Sequence, residues 1–297
     1  MGRTIACANQ KGGVGKTTTV VNLATYLALS GDRVLVIDLD PQGNATSGFG
    51  IDRNGIEASI YDAIVGDWLL ADLMLDTEIA GLSLVPSTIA LAGAEVELAP
   101  LGQRERRLAR LLAPIAPRFD YVLLDCPPSL GLLTVNALTA ADAVLIPLQC
   151  EYYALEGLTQ LIATVNLVRD HLNPELAVLG VLLTMFDSRT NLSAEVSAEA
   201  RRHLGDAVFK TVIPRNVRLS EAPSYGQPIA LYRHDSKGAE AYRSLARELR
   251  SRDGRDDVAI ARTVLRPPAP GAAHTAAPQP SDQDAMPDSP PAVVLDV

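Results

Sequence analysis

The run Lys11-Gly12-Gly13-Val14-Gly15-Lys16-Thr17-Thr18 sits between a short apolar segment, residues 4–8, and a stretch, residues 19–29, whose apolar residues recur at helical spacing. The order of strand, glycine-rich turn and helix constrains the fold more than any other feature of the chain. Glycines let backbone N–H groups approach an anion with no Cβ in the way, and the new helix adds the positive end of its dipole. Lys16 is then placed to reach terminal phosphates, and the Thr17 hydroxyl to ligate Mg2+. The strict phosphate-loop pattern has glycine where this chain has Gln10, and the loop instead carries a second lysine, Lys11.

Strand-like runs recur at residues 33–38, 82–86, 121–125, 143–148 and 177–184. Helical stretches lie at 103–112, 134–140, 153–169, 193–203 and 238–250. This alternation predicts βαβ units: an α/β fold with a doubly wound, mostly parallel sheet flanked by helices, and a nucleotide at the strands' carboxyl ends. Aromatic residues are only 4% of a chain that is 47% apolar, so the core is built from Val, Ile, Leu and Ala. Such residues suit a sheet buried on both faces. From Arg266 onward the composition shifts to Pro, Ala, Ser and Asp without periodicity. The expected organisation is one folded domain over residues 1–252 and a disordered Pro/Ala/Asp-rich tail over 253–297.

With no run of eighteen apolar residues and a charged opening, neither a transmembrane span nor a secretory signal is expected. Cys7, Cys126 and Cys150 lie in or beside apolar strands and read as small buried hydrophobes in a reducing cytoplasm. The formal net charge of −9 excludes a polycation that coats nucleic acid, but the charge is uneven. Residues 1–183 carry 11 Lys/Arg against 20 Asp/Glu, residues 184–252 carry 12 against 8, and residues 253–297 carry 3 against 7. The locally basic third is compatible with one nucleic-acid-binding face, although charge alone favours ordinary solvated helix surfaces.

Two further strands end on acids. Val34-Leu35-Val36-Ile37-Asp38-Leu39-Asp40 leaves the sheet at a carboxylate pair, and Tyr121-Val122-Leu123-Leu124-Asp125 has the form of a Walker B strand. A carboxylate near the terminal phosphate can orient an attacking water or hold hydrated Mg2+. Either acid alone is an ordinary strand-end residue; after a phosphate-loop lysine, the two together point to metal and phosphate work.

Residues 11–18, Asp38-Leu39-Asp40-Pro41-Gln42-Gly43-Asn44 and Leu123-Leu124-Asp125-Cys126-Pro127-Pro128-Ser129-Leu130-Gly131 resemble the deviant Walker A, switch I and Walker B segments of the ParA/Soj chromosome- and plasmid-partitioning ATPases, within the broader MinD/ParA class of P-loop proteins. The likeness continues through 147–157, 184–191 and 212–223, so that it covers roughly residues 3–250. It implies ATP and Mg2+ as ligands. Lys11 would be the signature lysine, reaching across a nucleotide-sandwich homodimer to the partner's phosphates much as an arginine finger does. Gly12 would lie where the two chains approach closely. Gly13, Val14, Gly15, Lys16, Thr17 and Thr18 would hold phosphates and metal, with Asp125 as the further metal carboxylate. Asp40 would serve both hydrolysis and metal. The adenine is expected near Met185 and the Pro214-Arg215-Asn216 loop. Arg189 and Arg218 match DNA-contacting positions, with affinity directed at phosphates and therefore blind to sequence. The resemblance further implies a ParB/Spo0J-type DNA-bound activator of hydrolysis and a cytoplasmic, nucleoid-associated protein.

Other members of the class fit less well. A MinD-like positioning ATPase for a non-DNA cargo would end in a basic amphipathic helix, whereas this chain ends Ala292-Val293-Val294-Leu295-Asp296-Val297 after an acidic, proline-rich tract. An iron–sulfur carrier would need paired bridging cysteines. A GTPase would usually carry an Asn-Lys-x-Asp segment, which is absent. A small-molecule kinase or ligase is compatible with the loop itself, but no further acid–base cluster accompanies it.

Overall fold

The computed structural model describes residues 2–151 and 154–255. The expected helix start at Tyr153 and the tail from residue 256 lie outside the described residues. The strands are β1 (Arg3–Cys7), β2 (Val34–Asp38), β3 (Leu75–Asp76), β4 (Leu82–Val85), β5 (Tyr121–Asp125), β6 (Ala143–Gln149) and β7 (Ala177–Thr184). Among the described residues they form one sheet in the order β3-β4-β2-β5-β1-β6-β7. Every neighbouring pair is parallel except β3 with β4.

The helices are α1 (Lys16–Leu29), α2 (Asn44–Gly48), α3 (Ile60–Val65), α4 (Leu91–Leu98), α5 (Arg107–Leu112), α6 (Leu132–Ala140), α7 (Ala154–His171), α8 (Asn191–Leu204), α9 (Val217–Glu221), α10 (Ile229–Tyr232) and α11 (Lys237–Arg252). They cover both faces of the sheet. Period-two alternation along each strand sorts the core: Ile5 and Cys7 of β1, with Tyr121 and Leu123 of β5, join the layer under α1, α10 and α11. Ala6, Val122 and Leu124 face the opposite way, into the layer under α3 to α8.

The doubly wound α/β fold expected from the sequence is the observed one. The six expected strands are present, with ends displaced by at most about two residues, as is usual at frayed boundaries. The helix expected at 103–112 is broken: Gln103 takes a left-handed φ of 56°, a 3-10 turn covers Arg104–Arg106, and α5 follows. β3, α2, α3 and α4 were not anticipated. A two-residue strand has too few positions to show alternation. α3 did carry a signal, because Ser59 and Asp62 close a capping box.

The parallel arrangement gathers the catalytic edge. Asp38, Asp125 and Cys7 stand side by side in one row of the sheet, and the loops that follow them share the carboxyl edge. At the opposite edge an ionic cluster fastens the end of α11 to the strand starts. Buried Asp32 pairs with Arg250 and, at 3.0 Å, with Arg255. Asp253 accepts from Arg3 and from the Tyr121 hydroxyl. Hydrogen bonds from Arg33 hold the Asp120 carboxyl down at about 2. Replacing Asp32 by alanine removes the carboxylate from beside a buried guanidinium. We expect this to cost roughly 3 kcal/mol of stability, read as a lower midpoint in urea unfolding at unchanged slope.

Candidate active site

The loop after β1 folds as its glycines dictate. Gly13 and Gly15 take φ of 73° and 89°, left-handed values that a Cβ would strain, and Gly15 is the residue from which α1 begins. Val14 is buried, and its carbonyl accepts from the Thr184 hydroxyl of β7 at 2.8 Å, which pins the loop to the sheet. Lys16 is buried, and its Nζ donates to the Lys11 carbonyl at 3.2 Å across the loop. Thr17 and Thr18 are half-buried in the first turn of α1. Asn22 braces that turn by donating to the Thr18 carbonyl at 2.7 Å and accepting from Ile229 N–H at 2.7 Å.

The acids behind the loop differ sharply in how they are partnered. Asp38 is fully buried, and both its oxygens are occupied. One accepts from Asp40 N–H at 3.1 Å, the other from the N–H and hydroxyl of Thr46, each at 2.8 Å. Burial nevertheless pushes its carboxyl up to about 6. Asp125 is equally buried, yet neither oxygen has a hydrogen-bond partner. Burial first, then the neighbouring Asp38, raises its carboxyl well above the usual range. A carboxylate stripped of water in this way calls for a cation. Asp40 is buried and accepts from Gln42 N–H at 2.9 Å. Among the described residues no group of three or more His, Cys, Asp or Glu side chains could enclose a metal by itself. The Thr17 hydroxyl and the Asp125 and Asp40 carboxylates are oxygen donors of the kind Mg2+ takes, an ion that keeps waters and adds phosphate oxygens to one or two carboxylates. The Cys7 and Cys126 thiols beside these acids are pushed up by burial, so neither is an activated thiolate.

Met185, Pro214, Arg215 and Asn216 line a cavity of about 440 Å³ together with Gly15 and Thr18. Its two loops are stitched together by Phe186 N–H to Ile213 O and Arg215 N–H to Phe186 O, both 3.0 Å. Met185 adopts a φ of 50°, and Asn216 caps α9 by accepting from Arg218 N–H at 2.9 Å.

Lys11 and Gly12 stand exposed at the mouth of the loop. The Lys11 ammonium pairs with Glu151 at 2.7 Å, and the other Glu151 oxygen accepts from Gln149. Arg189 and Arg218 are solvent-accessible but not idle. Arg189 makes a two-pronged contact with Asp187 at 2.9 and 2.7 Å, and Arg218 meets Glu221 at 2.7 Å. Three residues that the sequence reading passed over contribute here: Thr46, Ser87 and Glu151. Thr46 lies just past the Asp38-to-Asn44 motif and could have been found by asking what satisfies a buried acid. Ser87 lies far in sequence from Thr46, and Glu151 far from Lys11, so neither pairing carries a signal of its own.

The family model described as an AAA domain matches residues 2–178. The sporulation initiation inhibitor protein Soj of Bacillus subtilis is 58% identical over 84% of this chain and 98% of its own length. The chromosome partitioning protein ParA of Myxococcus xanthus is 56% identical over 85% of this chain and 89% of its own. A solved structure described as cobyrinic acid a,c-diamide synthase from Mycobacterium smegmatis, with bound ADP and magnesium, is 41% identical at a TM-score of 0.75, covering 86% of this chain and 97% of that one. At 58% and 56% identity these Soj and ParA proteins stand nearer to this sequence than that structure does, and the chain belongs to the ParA/Soj family of chromosome-partitioning ATPases.

Proposed function

We propose that this ATPase is the nucleotide-driven switch of a DNA-partitioning system. ATP joins two copies into a sandwich dimer, the dimer holds double-stranded DNA without reading its sequence, and hydrolysis, accelerated by a ParB-type activator, lets the DNA go. The observation that carries this reading is the division between the two loop lysines. Lys16 is buried inside its own loop, whereas Lys11 stands at the open mouth, where an ion pair with Glu151 holds it. An exposed pair of this kind is worth about 0–1 kcal/mol, so a second copy's phosphates can displace the carboxylate.

The chemistry follows from the site. Backbone N–H groups of residues 12–18 and Lys16 bind the phosphates, and the base lies in the cavity beside Met185 and residues 214–216. Thr17, Asp125 and Asp40 would hold Mg2+ directly or through water, and the metal would supply charge neutralisation at the terminal phosphates. Asp40 would orient the attacking water, and Lys11 from the second copy would complete charge compensation only after dimerisation. The same gating fits a cytoplasmic protein that visits the nucleoid in one nucleotide state. Among the described residues no helix is long and apolar enough to cross a membrane.

On the DNA side, Arg189 and Arg218 would exchange Asp187 and Glu221 for phosphates. Each subunit offers a modest basic surface, and pairing two of them supplies by avidity what an acidic protein lacks in net charge. The test combines salt and sequence. Arg189→Ala or Arg218→Ala is expected to weaken ATP-dependent binding equally on unrelated duplexes. The slope of log affinity against log salt should fall by about 0.9 for each phosphate that the variant no longer neutralises. ATP hydrolysis without DNA should not change. Tight DNA binding by nucleotide-free protein, or a weakening confined to one sequence, would overturn the reading.

A further inference from the structure

Asp40 opens a loop in which Gly43 has a left-handed φ of 60° and Gln42 and Asn44 on either side of it are exposed, with Arg53 donating to the Gln42 carbonyl from the surface. A second set of bonds holds the loop from underneath. Asp38 grips the Asp40 N–H with one oxygen and Thr46 with the other. The Thr46 hydroxyl donates to Asp38 and accepts from Ser87 N–H at 3.0 Å, just past the end of β4. The Ser87 carbonyl in turn lies 3.1 Å from where a Cβ on Gly43 would be. Asp38, Thr46 and Ser87 are all fully buried. The loop that carries Asp40 is therefore fastened at its start and at its end, through Asp38 of β2 and the Ser87 N–H just past β4.

We infer that the Asp38–Thr46–Ser87 chain of hydrogen bonds is a clamp that sets Asp40 for hydrolysis, and that Thr46 is a positioning residue of the reaction. The inference rests on the reading of Asp40 as the hydrolytic acid. Two observations separate it from ordinary core packing. Asp38 shares the sheet row with Asp125, but its oxygens are taken up by loop donors and those of Asp125 are not, so the two buried acids have different tasks. The Thr46 side chain also spends both its donor and an acceptor site on this one chain of bonds, between the residue that anchors Asp40 and the adjacent strand. Valine has the same shape and can do neither. Displacing a reacting group by about 1 Å costs up to about a hundredfold in rate while leaving substrate binding intact.

The experiment compares Thr46→Val, Thr46→Ala and Thr46→Ser in the full-length protein. ATP affinity is measured by calorimetry, hydrolysis by single turnover, and folding by thermal melting, with Asp40→Ala alongside. The expected result is ATP affinity within about twofold of the parent in every variant, with hydrolysis down about ten- to a hundredfold in the valine and alanine variants. Serine should restore it. Hydrolysis at the parental rate in folded Thr46→Val or Thr46→Ala, while Asp40→Ala has none, overturns the clamp. Failure of both to fold while Thr46→Ser folds makes the hydroxyl a stability element and overturns it too. Parental hydrolysis by Asp40→Ala would instead strike at the reading of Asp40, a separable outcome.

Discussion

Lys16→Ala is expected to abolish ATP binding in any practical concentration range, a weakening of at least about a hundredfold or roughly 3 kcal/mol. The loop folds around this cation, which is buried and in the free protein donates to the Lys11 carbonyl. Removing it leaves the charge of the terminal phosphates uncompensated in a site with little water. The fold itself should survive, since the bond removed is a single one to a loop carbonyl. Melting of the nucleotide-free variant should match the parent, and the rise in melting temperature that ATP gives the parent should vanish. Calorimetry showing parental ATP affinity for the variant would remove the phosphate-loop assignment altogether.

Gly12→Val separates what Lys16→Ala confounds. A Cβ at Gly12 would meet nothing in its own chain nearer than the Pro128 Cβ at 3.9 Å, an ordinary contact, and the position is exposed. Gly13 and Gly15 beside it have backbone angles that a side chain would strain, and Gly12 has none. The monomer therefore has room for the valine. It should fold, melt and bind ATP within about threefold of the parent. If two copies meet face to face across the nucleotides, the added side chains hold the chains apart. Sedimentation with a slowly hydrolysed ATP analogue should then show only monomer, and affinity for DNA should fall by about a hundredfold or more as avidity disappears. A dimer of parental strength would place the contact between copies elsewhere on the molecule.

The sheet was legible because its central strands are short, nearly continuous apolar runs, two of which, β2 and β5, end on an acid. The loop chemistry was legible because phosphate binding demands glycine, lysine and a hydroxyl at fixed spacing. What stayed hidden was partnership. Nothing near Lys11 in the sequence announces Glu151, and nothing near Asp38 announces the backbone of Ser87, because those neighbours are made by strand order. Arg189 and Arg218 match DNA-contacting positions in sequence, and in the structure each folds back onto an acid two or three residues away. The spacing was visible, but short-range ion pairs on exposed turns depend on local backbone geometry that composition does not encode. Thr46 was hidden for a further reason, since a threonine in a short polar stretch resembles any other until the buried acid beneath it is seen.

The place of β1 in the sheet has a consequence for how the protein is made. This strand leaves the ribosome before the two that flank it, β5 and β6, and Arg3 pairs with Tyr121 while Ile5 pairs with Ala143. At ordinary translation rates of about 5–20 residues per second, β1 waits on the order of ten seconds for its first neighbour and somewhat longer for its second. During that interval it has two open edges and an apolar sequence, and the phosphate loop attached to it has no sheet to rest on. Synthesis thus leaves the nucleotide site to assemble late, after the chain has closed a long-range contact of the kind that slows folding. Nascent-chain length, more than final stability, should decide when this protein is most prone to aggregate and most in need of a chaperone.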